Sequence, residues 1–293
     1  DYLGRFFMHN IIAAVSIATY NILDPFYAVY WAEPAGLNEE GLKASREALR
    51  ASAQTMDNAW EMYSNWNQRQ EILAKNIQSA DIVCLQEVSE TTLAALQELT
   101  NYQLAAVSYG HIPGLPSFGN AILYNKEKVS LEESIVLTCE SPPAIRGAAS
   151  GIFKIGNKLI KVASLHLSGY YSKEPNLMKK QASKKRGFDE LQNFKVQLES
   201  QLEGLDGIVI AGDFNESKDE EEQELYRPRV LMEAGYLCDN CFSATEPLKN
   251  RKIDWLFYKS LKEEEPTLTS LGLEELKQAS DHNMSGTRLE WKN

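Results

Sequence analysis

Short apolar runs that break into polar residues recur along this chain, and several of them lead into a helical pattern. Val15 to Leu23 is the first and reads as a strand. Asp81 to Leu85 is too short and too β-branched for a helix, so it reads as a buried strand. Asn120 to Tyr124, Val129 to Thr138, Ala148 to Ile155, Lys158 to Leu167, Gly207 to Ala211, Ile253 to Tyr258 and Thr287 to Trp291 continue the series. Gly156-Asn157, between two of these runs, is a hairpin signature. Trp60 to Ile77 carries Trp66, Ile72, Leu73 and Ile77 at helical spacing, and Thr91 to Leu99 and Asn176 to Leu202 also read as helices. Asp219 to Gly235 reads as one more helix, its acidic start suiting the helix dipole. Pro34 to Asn58, alanine-rich and polar, reads as a helical insertion, and His111 to Gly119, rich in Pro and Gly, as a loop. Strands joined both by hairpins and by helices predict an α/β protein with two packed mixed β-sheets flanked by helices.

Composition adjusts this picture in few places. The 293 residues show no internal repeat or linker, and we read residues 1–293 as a single catalytic domain with the insertion around 34–58. No apolar run approaches the ~18 residues of a membrane-spanning helix, so a soluble protein is expected, cytoplasmic rather than secreted. Ile11 to Ala18 is apolar but short, and reads as a strand rather than a signal-peptide remnant. A net charge of −11 is unlike a protein that grips long nucleic acid, and better suits a short or small phosphorylated substrate. Cys84 lies inside an apolar run and reads as core. Cys238 and Cys241 form a lone C-x-x-C, open to zinc, a disulfide or, most simply, two thiols.

The candidate chemistry sits where apolar runs end. Asn21 follows the first strand, where an Asn is ordinarily a turn former. Glu87 follows Ile82-Val-Cys-Leu85 after one Gln; a charge there is either solvated or meets a cation. His166, between two leucines, could equally be a satisfied core residue. Gly207-Ile-Val-Ile-Ala-Gly-Asp-Phe-Asn215 delivers Asp213 and Asn215, which in extended geometry would face one side. Asp254 opens an aromatic strand, and Asp281-His282 puts an acid beside a base. Alone each has a plain structural reading. Together they are what phosphate-ester hydrolysis needs: oxygen ligands for Mg²⁺, a base to orient water, and donors for the charged transition state.

In this order, from Asn21 to His282, these residues resemble the endonuclease/exonuclease/phosphatase superfamily, whose members include pancreatic deoxyribonuclease and the abasic-site endonucleases. The resemblance implies a four-layer α/β sandwich and a metal-dependent phosphoric ester hydrolase using Mg²⁺, for which Mn²⁺ can substitute. It implies Glu87 as principal metal ligand with Asn21 and Asp281 close by, and Asp213 as the group that orients or deprotonates water. Asn215 would hold Asp213 or a phosphate oxygen, and His166 and His282 would donate to the phosphate. Asp254 would fix the tautomer of His282, and Arg146, in Arg-Gly-Ala-Ala, matches an arginine of the family and is a candidate for substrate binding.

Thr19-Tyr-Asn-Ile-Leu-Asp-Pro-Phe-Tyr27 and Trp66-Asn-Gln-Arg-Gln-Glu-Ile72 look like the deadenylase and nocturnin branch, which implies a phosphodiesterase acting as a 3′ exonuclease on single-stranded RNA, or on a nucleotide. Arg251-Lys-Ile-Asp-Trp255 departs from the Pro-Ala-Trp-Cys-Asp-Arg motif of the inositol polyphosphate phosphatases. Tyr170 and Tyr171 could stack on a base, or pack on their own loop. Lys179, Lys180, Lys184, Lys185 and Arg186 could steer a polyanion, or form a solvated helix face. The alternative is a phosphatase or phosphodiesterase for a small phosphorylated molecule or a phospholipid headgroup.

Overall fold

A computed structural model describes residues 11–25, 65–111, 118–169, 176–220, 224–238, 245, 251–273, 276–277 and 279–292. The expected insertion over 34–58, Tyr170, Tyr171 and Cys241 lie outside these residues.

The fully buried runs became the middle strands. β1 (Ile11–Asn21) and β2 (Ile82–Val88) pair in parallel, and β12 (Ser285–Lys292) runs antiparallel on the other side of β1. β4 (Gly119–Tyr124), β3 (Gln103–Tyr109) and β11 (Thr267–Ser270) complete a six-stranded sheet in the order β11-β12-β1-β2-β4-β3. The second sheet has the order β5-β6-β7-β8-β10-β9. It comprises β5 (Ser130–Ser141), β6 (Ala144–Ile155), β7 (Lys158–His166), β8 (Gly207–Asp213), β9 (Leu237–Cys238) and β10 (Asp254–Ser260). All seven residues of β8 are buried, because it lies between β7 and β10 and is covered on both faces.

The sheets pack face to face through Ile17, Ile82 and Cys84 of one and Ala149, Val162, Val209 and Leu256 of the other. Cys84 is core, as its sequence context suggests, and burial raises its thiol far above the usual range. Helices α1 (Trp66–Ile77) and α2 (Glu90–Thr100) cover the outer face of the first sheet. Helices α3 (Leu177–Glu199) and α4 (Arg227–Glu233) cover that of the second. This is the expected four-layer α/β sandwich. Each of the first three helices starts on a side-chain cap, from Asn65, Ser89 and Asn176 respectively, which satisfies backbone N–H groups left open at a helix start. No described helix is long and apolar enough to cross a membrane.

Asp219 to Gly235 is not one helix. Lys218–Glu220 forms a short 3₁₀ turn, and α4 begins only at Arg227. Pro228 is the reason: it lacks the N–H that a helix interior needs, and is tolerated in the first turn, where it stands. The first turn of α4 therefore contains no acid. Strands β3, β9 and β11 escaped the sequence reading. Each lies at a sheet edge; β9 and β11 are short, and β3 has only the small apolar run Leu104 to Val107 between polar ends.

Candidate active site

Strand direction gathers the polar residues at one edge of the sandwich. The C-terminal ends of β1, β2, β7 and β8 lie beside the starts of antiparallel β10 and β12. Within the second sheet, Asp213 is in register with His166 on one side and Asp254 on the other. The strands approach closely there: a Cβ added to Gly212 would lie 1.9 Å from the Leu165 carbonyl oxygen, so the position is closed to other residues.

Asp213 is the hub. Its Oδ2 accepts from Asn21 Nδ2 at 3.1 Å, and lies 3.5 Å from His166 Nε2 and 3.9 Å from His282 Nε2. Burial pushes this carboxyl up, but His166 and His282 outweigh it and hold it below the usual aspartate range. Asn215 reaches the hub through a turn, not an extended strand. It takes φ +50°, so its backbone N–H donates to Asp213 Oδ1 at 2.8 Å. Its Nδ2 then lies 3.1 Å from His166 Nε2 and donates to the Leu167 carbonyl at 3.0 Å.

His282 pairs through Nδ1 with Asp254 Oδ2 at 2.8 Å. Burial opposes the charged ring, but Asp254 and Asp281 raise it well above the ordinary imidazole value. Asp254 is itself pushed up to about 6 by burial. Its backbone N–H donates to Thr245 Oγ1 at 3.0 Å, which anchors the start of β10. His166 behaves oppositely: burial lowers it to about 4, with Arg146 adding to the effect, so this ring is neutral at pH 7.

Glu87 sits at a register irregularity of β2, with φ +57°, a backbone that costs a non-glycine residue roughly 1–2 kcal/mol. Its Oε1 accepts from Asn21 Nδ2 at 3.0 Å. Its Oε2 is sealed from solvent and has no hydrogen-bond partner among the described residues. Burial, with Asp281 adding repulsion, pushes the carboxyl up to about 8. An orphaned buried carboxylate oxygen beside a second acid fits a divalent cation. Asn21 faces Glu87 with its amide nitrogen, while its Oδ1 accepts the Leu23 N–H at 3.1 Å, so here it orients the carboxylates. Asp213, Asp254 and His282 also offer ligand atoms within 4.8 Å of one another. That trio is already joined by the Asp254–His282 hydrogen bond, which makes Glu87 the better place for an ion.

The structure thus brings Asn21, Glu87, His166, Asp213, Asn215, Asp254 and His282 together, with Asp281 close enough to act on Glu87 and His282. Arg146 stands next to them, donating to Ser168 Oγ from Nε at 3.2 Å and from Nη2 at 2.9 Å. Of the basic stretch, Lys184 is buried against Glu216 and Glu220, which removes it from any steering face. Sequence reading missed the supports. Arg69, fully buried on α1, donates to the Ala279 carbonyl at 2.8 Å and to those of Ile22 and Leu23 at 2.5 and 2.6 Å. Ser280 Oγ donates to the Asn21 carbonyl at 2.7 Å. An Arg among helix-spaced apolar residues was the only hint of the first.

The sequence matches the Endonuclease/Exonuclease/phosphatase family over residues 58–282. No curated protein matches it by sequence. Among solved structures, the human Nocturnin catalytic domain with bound sulfate anion is similar at 16% identity and a TM-score of 0.59, over 97% of this chain and 95% of that one. Truncated Caenorhabditis elegans TDP2 is similar at 16% identity and a TM-score of 0.56, over 94% and 97%. D. rerio TDP2 complexed with single strand DNA product gives 16% identity and a TM-score of 0.56, over 96% and 99%.

Proposed function

Because this chain belongs to the endonuclease/exonuclease/phosphatase family, we propose that it is a Mg²⁺-dependent phosphodiesterase that cleaves nucleic acid from a strand end, with residues 1–293 acting as one catalytic domain. One observation carries the reading: a buried aspartate stands between two histidines, and a glutamate tied to it through Asn21 by one carboxylate oxygen keeps its other oxygen orphaned. Water attacks phosphorus while Asp213 takes or orients its proton; a P–O bond forms to water, and the P–O bond to the leaving oxygen breaks, that oxygen taking a proton from solvent to leave as the alcohol. Protonated His282 donates to the phosphoryl oxygens, and Asp254 holds its ring. Neutral His166 and Asn215 keep Asp213 in place. Glu87 would hold the cation, which supplies neutralisation of phosphoryl charge when bound.

D. rerio TDP2, crystallised with a single strand DNA product, supports a nucleic-acid substrate. The net charge of −11 and the internal pairing of Lys184 favour the second reading, a small phosphorylated molecule or a phospholipid headgroup. Labelled oligoadenylate, NADP and phosphoinositides, each with Mg²⁺, Mn²⁺ or EDTA, separate the two. We expect cleavage of the oligonucleotide by wild type, none with EDTA, and a loss of about 10²–10⁴-fold in Asp213→Asn. Turnover of the small molecules alone would transfer the assignment to the second reading.

A further inference from the structure

Glu190 is 1% exposed on the inner side of α3, against Leu191 and Phe194 of the apolar cluster there. Burying a carboxylate among apolar side chains is costly unless donors converge on it. Here they come from two strands and the segment that follows a third. The Ser168 N–H and O–H donate at 2.7 and 2.6 Å, Ser141 Oγ donates as well, and Arg146 Nε lies 3.7 Å away. Ser168 is two residues past His166, Ser141 ends β5, and Arg146 is on β6.

The serine is a directional link. Its one hydrogen goes to Glu190, and its lone pairs receive Arg146 Nε and Nη2. That uses one edge of the guanidinium. Nη1 has no hydrogen-bond partner among the described residues, and the side chain is 20% exposed. Arg146 also acts electrostatically on His166, so its charge belongs to the same cleft.

We propose that Glu190 is a positioning residue that, through Ser168, locks Arg146 with its open guanidinium edge toward a phosphate oxygen of the substrate. The inference rests on the phosphate-ester reading. It adds that anion recognition is set from α3, behind the second sheet, by a residue that never touches substrate.

The test is a double-mutant cycle read by two measurements: calorimetric binding of inorganic phosphate, and kcat and KM on bis(4-nitrophenyl) phosphate with Mg²⁺. Arg146→Ala should weaken phosphate binding and raise KM by about 10–100-fold. Glu190→Gln should weaken both about 10-fold alone, and less than about twofold in the Arg146→Ala background. Ser168→Ala, which leaves the buried charge in place, should follow Glu190→Gln and guards against a fold that fails without Glu190. Equal losses with and without Arg146 would make Glu190 a general structural residue and overturn the proposal. So would wild-type protein that binds no phosphate. Phosphate binding with the expected coupling but no turnover would uphold the inference and remove the phosphodiesterase reading instead.

Discussion

His282 and Glu87 carry opposite electrostatic problems, and each makes its own prediction. Asp254 and Asp281 keep the His282 ring protonated well above its usual range, whereas Asp213 stays ionised below its own. Activity that needs both states should hold through neutral pH and fall on the alkaline side as His282 loses its proton. Replacing Asp254 by Asn removes the main stabiliser of the imidazolium, so the alkaline limb of kcat/KM should move to lower pH; an unmoved limb would detach it from His282. His282→Ala should lower kcat by about 10²–10⁴-fold with little change in KM. Glu87 holds a proton up to about 8 against 4.5 when unfolded, so the cation-free protein loses stability as pH rises across that window. Bound cation removes the loss. Thermal melts should therefore show a larger Mg²⁺-induced rise at pH 8 than at pH 5. Glu87→Gln should abolish that rise while stabilising the cation-free protein at pH 8 by on the order of 1–3 kcal/mol.

Elements decide how these residues were legible. β1, β2 and β8 are covered on both faces, so they appear in the sequence as mainly apolar runs and their last residues stand out as chemistry. β9 and β11 lie at sheet edges with half-buried or exposed patterns that imitate loops, and edge strand β3 buries only small side chains, Ala105, Ala106 and Ser108. Asp213 and Asn215 were legible as a pair, yet the left-handed turn at Asn215 that joins them was not, since positive φ leaves no periodic trace. The same limit hid Glu190, whose partners are distant in sequence and close only after β5, β6 and α3 have packed. Gly212 is the element-level weak point. Gly212→Ala should drive β7 and β8 apart at the catalytic edge and cost on the order of 3 kcal/mol or more in urea unfolding. A wild-type midpoint in that variant would mean that the strands can yield there.

At the scale of the whole molecule, the cleft belongs to neither sheet alone. Asn21 of the first sheet reaches both Glu87 of its own sheet and Asp213 of the second, and so spans the seam. Arg69 stitches the backbone that leaves β1 to the backbone that precedes β12. Arg69→Met would strand three buried carbonyls, and should cost on the order of 3 kcal/mol and lower turnover more than substrate affinity. Kinetics on the surviving folded fraction would check this, and unchanged kcat would show that the loops hold their places unaided. The stitch has a consequence for how the protein comes into being. Its two tethered segments lie more than two hundred residues apart in the chain, so a nascent polypeptide emerging from the ribosome owns Glu87 and Asp213 long before it owns His282. The cluster is complete only once His282 has joined the chain.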